Sequence, residues 1–126
     1  MKYEEITKDI LAAAFKVHST LGNGFQEVIY QKAMELEMPL HELAFKREME
    51  MPIFYLEKQI GTRRVDFFVE GLIMVELKAQ IKLEDVHLAQ AINYLEAYNV
   101  EVGMLLNFGA VSLEYRRLTN KKYKNV

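Results

Sequence analysis

Three charged residues stand where a strand of the core should run. The stretch Arg64-Val65-Asp66-Phe67-Phe68-Val69-Glu70-Gly71-Leu72-Ile73-Met74-Val75-Glu76-Leu77-Lys78-Ala79 is two apolar runs joined at Gly71. Two such runs about one turn predict a hairpin in the middle of a sheet. Side chains alternate faces along a strand, so Glu76 and Lys78 point one way while Val75 and Leu77 point the other. An ionised group buried without compensation costs several kcal/mol, on the order of the whole net stability of a small domain. Glu76 and Lys78 could compensate each other as an internal ion pair, or lie on an edge strand facing water. The apolar run argues against a wet edge. Asp66 on the neighbouring strand argues against a simple pair, because a second carboxylate repels the first. Two converging carboxylates are tolerated when a hard divalent cation lies between them, and oxygen ligands suit Mg²⁺. On the residues alone, the metal site and the paired charges both remain open readings.

The elements that must position these groups are legible around them. Residues 4–21 carry Ile6, Ile10, Ala13, Phe15, Val17 and Leu21 at helical spacing, and Gly22-Asn23-Gly24 predicts the stop. A second helix is predicted over 25–37, with Pro39 just beyond it. The period then shortens. Residues 45–50, 53–58 and 62–69 read as strands, with Gly61 and Gly71 as turns, and 72–79 as a further strand. Residues 85–98 return to helical spacing, with Val86, Ala89, Ile92, Leu95 and Tyr98 on the expected buried side. Residues 102–108 and 112–118 read as a core strand and a final edge strand. Helix, helix, strands, helix, strand implies a mixed α/β sandwich whose late helix crosses over between neighbouring strands.

Asp66 followed after nine residues by Glu76-Leu77-Lys78 resembles the D…ExK signature of the PD-(D/E)XK nuclease superfamily. Three further segments carry the likeness. Gly24-Phe25-Gln26-Glu27-Val28-Ile29-Tyr30, preceded by His18-Ser19-Thr20-Leu21-Gly22-Asn23, is similar to the pattern that names the GxxExxY branch of that superfamily. Gln90 and Tyr94, four apart, resemble the QxxxY element of RecB-like nucleases, and Val102-Gly103-Met104-Leu105-Leu106-Asn107-Phe108-Gly109 resembles a late strand with its Asn-Phe-Gly ending. Val65 stands where the superfamily's name has Pro, a position that supplies no ligand.

The resemblance implies a restriction-endonuclease-like three-layer sandwich with a mixed central sheet flanked by helices. It implies Mg²⁺ or Mn²⁺ held by Asp66, Glu76 and the backbone carbonyl of Leu77, with Glu27 reaching the ion directly or through water. Lys78 is then the catalytic cation, Glu27, Gln90 and Tyr94 are its helpers, and the reaction is phosphodiester hydrolysis. Substrate contacts are expected from His18, Tyr30 and His87. DNA, or RNA, is the implied partner.

Composition bounds these readings. The chain of 126 residues with 51% hydrophobic content fits one domain, expected over residues 1–119 and followed by a polar, basic tail at 120–126. It has no cysteine, which excludes disulfides and thiolate-held zinc, and no His pair has metal-ligand spacing. No signal-like segment or membrane-length apolar run is present, so a cytoplasmic protein is expected. The net charge of −2 gives no whole-molecule attraction for nucleic acid. Basic residues cluster only locally, at Lys46-Arg47, Arg63-Arg64, Arg116-Arg117 and Lys121-Lys122 with Lys124. Two rival functions follow: a non-catalytic module that keeps the fold to bind nucleic acid or protein, and a structural, dimeric interaction protein whose charges merely pair. The small size makes a homodimer the expected assembly for gripping a duplex.

Overall fold

The structure, a computed structural model, describes residues 3–125. Two helices, α1 (Glu4–Leu21) and α2 (Glu27–Glu37), are followed by a 3₁₀ turn (Met38–His41) and three strands, β1 (Phe45–Tyr55), β2 (Lys58–Val69) and β3 (Ile73–Lys78). Helix α3 (Asp85–Ala97) then leads to β4 (Val102–Asn107) and β5 (Glu114–Thr119). The strands form one sheet in the order β1-β2-β3-β4-β5. Only β3 and β4 run parallel, because α3 is the crossover that joins them, and the other pairs are antiparallel.

The sheet is sandwiched. On one face Ile73, Val75 and Leu77 of β3 and Met104 and Leu106 of β4 pack with Ile10, Ala13 and Ala14 of α1 and Tyr30 and Met34 of α2. On the other, Met74 and Leu105 meet Ala91 and Leu95 of α3. Burial on both faces explains why β3 and β4 read as continuous apolar runs. The predicted three-layer α/β sandwich is the observed one.

Several local expectations are corrected. The first two predicted strands are one, and Gly61 lies inside β2 opposite Ile53; the hairpin turns at Leu56 and Glu57, both left-handed (φ 48° and 65°). Such a pair of left-handed residues matches the twist of a two-residue hairpin. Phe15 is exposed and meets Tyr115 edge-on, and Ala14 takes the inward position instead. On α3, Val86 and Ala89 face solvent while Leu88, Ala91 and Leu95 face the sheet. The start of the basic tail is anchored: Asn120 is buried and its amide donates to the carbonyls of Leu95 and Val100.

One irregularity positions the site. Val65 and Phe67 should share a face, yet Val65 packs against α3 and Phe67 under α1 and α2. Strand β2 therefore twists over at Asp66, opposite Glu48, whose φ of 56° breaks the β1 ladder at the same level. Pairing of β2 with β3 stops at Phe67–Val75, so the two strands fork there.

Candidate metal centre

The fork places Asp66 against the charged part of β3. Where the strand ladder ends, the Asp66 side chain takes over: its Oδ2 accepts the Leu77 N–H at 2.8 Å. A buried amide must find an acceptor, and here a carboxylate supplies it. The bond ties Asp66 beside Glu76 and Lys78, so residues nine positions or more apart converge. The Leu77 peptide, expected to offer its carbonyl, lies at the centre of this cluster through its amide.

Glu76 is only 4% exposed. Burial raises its carboxyl to about 8, and the neighbouring Asp66 charge adds to the rise, while Arg63 opposes it. Two carboxylates can share a hydrogen bond only if one holds a proton. As anions neither donates, and Glu76 Oε1 is then a buried oxygen with no hydrogen-bond partner among the described residues. Its other oxygen, Oε2, lies 3.6 Å from Arg63 Nη2.

Helix α2 closes the cluster from the opposite side. Gln31 donates to both Glu27 Oε2 (3.3 Å) and Asp66 Oδ1 (3.2 Å), so one amide links two carboxylates. Glu27 is raised first by burial and then by Asp66, with Lys78 and Arg63 pulling the other way. From the third layer, His87, Gln90 and Tyr94 of α3 line one cleft with Arg63, Glu76 and Lys78. That cleft leaves about 10 Å³ for the centre of a water-sized sphere, which is the threshold for one water or one small ion.

The remaining expected site residues have structural partners. The Tyr30 side chain is fully buried, donates to the Gly22 carbonyl (2.6 Å), accepts the Phe25 N–H (3.1 Å) and stacks on Phe108. This corrects its expected contact with substrate: Tyr30 pins the loop that leads into Glu27. His18 Nε2 donates to the Ala110 carbonyl at 2.9 Å, since a carbonyl can only accept. His87 Nδ1 accepts the Glu84 N–H in a capping box, while its ring lines the cleft.

Three residues escaped the sequence reading. Arg63 stood only in a basic cluster, although it lies three residues before Asp66. Gln31 sits four residues after Glu27 and so shares its helical face, a spacing that could have found it. Asn107 belonged to a matched segment without a role. Fully buried, it accepts from Gln80 N and Gly109 N and donates to the Gln80 carbonyl and Glu114 Oε1. It thereby locks the loop between β3 and α3 onto the end of β4. Gly109 permits that approach, since a Cβ there would lie 2.5 Å from the backbone of Ala79 and Gln80.

The donor set fits a hard divalent ion. Every candidate ligand is oxygen, and one of those oxygens, on Glu76, is buried without a hydrogen-bond partner among the described residues; Glu76 lines the cleft, while Asp66 and Glu27 lie outside its lining. Among the described residues no three His, Asp or Glu side chains group tightly enough to hold a metal by themselves. An ion here would thus rely on Asp66 and Glu76 and keep several waters, as Mg²⁺ commonly does. No described helix is long and apolar enough to cross a membrane.

No curated protein and no solved structure matches the chain. A family model described as the PD-(D/E)XK nuclease superfamily matches residues 4–118, which include both carboxylates, the lysine and all three layers. The chain therefore belongs to the PD-(D/E)XK nuclease superfamily and has its nuclease-like fold.

Proposed function

We propose that this protein is a Mg²⁺- or Mn²⁺-dependent nuclease of the GxxExxY branch that hydrolyses phosphodiester bonds, with DNA as the first substrate to test and RNA the second. The observation that carries the reading is the fork at Asp66. It ties the Asp66 carboxylate to the Leu77 N–H between Glu76 and Lys78, and Glu76 carries a buried oxygen without a hydrogen-bond partner among the described residues. A structural ion pair does not need the second carboxylate.

Asp66 and Glu76 would hold the ion, the Leu77 carbonyl would add an oxygen donor, and Glu27 would act through water. Bound there, the ion supplies charge neutralisation on the phosphate and acidifies a water. The protein's own groups do the rest. Lys78 shares the cleft with Glu76, and its ammonium would hold the attacking water and face the negative charge carried by the phosphoryl oxygens in the transition state. Gln90 and Tyr94, on α3 at the same cleft, orient that water or a phosphate oxygen. Gln31 keeps Glu27 and Asp66 at a constant separation through its two hydrogen bonds. His87 from the cleft and His18 from the last turn of α1 contact the sugar-phosphate backbone.

The reading includes a cytoplasmic location and a homodimer. The tip of the β1–β2 hairpin exposes Phe54, Tyr55, Leu56 and Ile60 together, an apolar patch suited to a second copy. Sedimentation of the protein over a concentration series tests that assembly.

Calorimetric titration with Mn²⁺ tests the centre. The wild type should bind, and Asp66→Ala and Glu76→Ala should not. Lys78→Ala should bind the ion yet lose cleavage. Ion binding without cleavage of any single-stranded, duplex or structured DNA or RNA would favour the non-catalytic binding module. No ion binding at all sinks the proposal.

A further inference from the structure

Arg63 is the charged neighbour of Glu76 to which the reading above gives no role. Its Nη2 lies 3.6 Å from Glu76 Oε2, well beyond the 2.7–2.9 Å typical of a charge-assisted hydrogen bond. The guanidinium lies over the Tyr94 ring, 4.7 Å from its centroid. Stacking of this kind holds the plane of an arginine while its edge N–H groups still hydrogen-bond; here Nη1 donates to the Arg64 carbonyl, and Nη2 is the nitrogen turned to Glu76. The head is about a third exposed at the mouth of the cleft.

The backbone beneath it is fixed. Arg63 pairs across the hairpin with Met51, and the Met51 carbonyl accepts the Tyr98 hydroxyl of the residue that ends α3. The other arginines of the hairpin are occupied elsewhere: Arg64 pairs with Glu48 and Glu50, and Arg47 with Glu35 and Glu48.

The charges around the fork decide what Arg63 can do. Glu27, Asp66 and Glu76 face Arg63 and Lys78, and with all three acids ionised the three carboxylates against two cations leave one net negative charge. A divalent ion turns this into one net positive charge, which one phosphodiester anion balances. Once an ion occupies the two carboxylates, the arginine on Glu76 is redundant there and is repelled by the ion. The nearest anion left to it is the substrate phosphate.

We infer that Arg63 is a resident counter-cation of the centre, pairing with Glu76 while no ion is bound and turning to a substrate phosphate when one is. The inference rests on the metal reading proposed above. It differs from an ordinary structural ion pair in the sign of one measurement. A structural arginine organises Glu76, so its loss should weaken ion binding; a counter-cation competes with the ion, so its loss should tighten it.

The experiment is calorimetric titration of Mn²⁺ into wild type, Arg63→Met and Arg63→Lys without nucleic acid. Removing one like charge at this range corresponds to roughly a tenfold change. Arg63→Met should bind Mn²⁺ about tenfold tighter, and Arg63→Lys should stay close to wild type. With Ca²⁺ in place of Mn²⁺, fluorescence anisotropy of a short labelled DNA strand should show about tenfold weaker binding for Arg63→Met, against less than twofold with chelator. Unchanged or weaker ion binding by Arg63→Met overturns the inference while leaving the metal centre standing. Equal loss of DNA binding with and without ion also overturns it. A wild type that takes no divalent ion overturns the metal reading and this inference with it. Should Arg63→Met fail to fold, the Arg63 Nε–Hε signal of the wild type decides by NMR. It must move on Mg²⁺ addition, and an unmoved signal refutes the exchange.

Discussion

Glu76→Gln should abolish the response of the ion-free protein to pH between about 5 and 8. In the folded chain the Glu76 carboxyl is pushed up from 4.5 to about 8, chiefly by burial. A raised folded value means that the native state holds this proton more tightly than the unfolded chain does. The resulting stability is fully present below about pH 4.5 and is lost as pH rises through about 8. At about 1.36 kcal/mol per pH unit, the full difference is on the order of 5 kcal/mol, of which about 3 is already lost by pH 7. Exposure of 4% leaves little solvent to screen it. For a domain with a net stability of about 5–15 kcal/mol the loss is large, equivalent to roughly 10 °C in melting temperature. The glutamine variant keeps the shape without the charge, so its stability should stay nearly flat over the same range. Thermal unfolding followed by circular dichroism, with chelator, from about pH 5 to pH 8 measures both proteins. Saturating Mn²⁺ should restore the wild type, by about 2.7 kcal/mol at one hundred times the dissociation constant, and leave Glu76→Gln unmoved. A wild type whose ion-free stability is level or rises over this window, in parallel with the variant, would refute the burial argument.

Asp66→Asn retains an acceptor for the Leu77 N–H but removes the charge, so it should fold with nearly wild-type stability and fail to bind Mn²⁺ in calorimetry. Asn107→Ala strips four hydrogen bonds from a fully buried position and should cost about 2–4 kcal/mol in urea unfolding. Gly109→Ala forces the loop after β3 away from β4, and should cost at least about 2 kcal/mol and reduce turnover more than ion affinity, since that loop carries α3. Tyr30→Phe should lose about 1–2 kcal/mol of stability with no change in nucleic-acid affinity, which separates its structural bonds from substrate contact.

The sequence by itself determined the layers and the site's principal members. Apolar runs at 73–77, broken only by Glu76, and at 102–106 announce strands buried on both sides, and helical periods at 4–21 and 85–98 announce their covers, because burial selects side chains by period. Glu76 and Lys78 were conspicuous because ionised groups do not belong in such a run. What the tertiary structure decided depends on backbone paths that no local period encodes. Gly61 looked like a turn, yet the hairpin turns at Leu56 and Glu57, since cross-strand register over two long strands outweighs one residue's preference. The twist at Asp66, which puts Val65 and Phe67 in opposite cores, is invisible to alternation counting, and it alone aims the Asp66 carboxylate at β3. Tyr30 shows the converse: its motif position suggested substrate, but both of its bonds close a loop of its own chain. Arg63, Gln31 and Asn107 gain meaning only through partners far away in sequence, because charge compensation and hydrogen-bond satisfaction are properties of the packed interior.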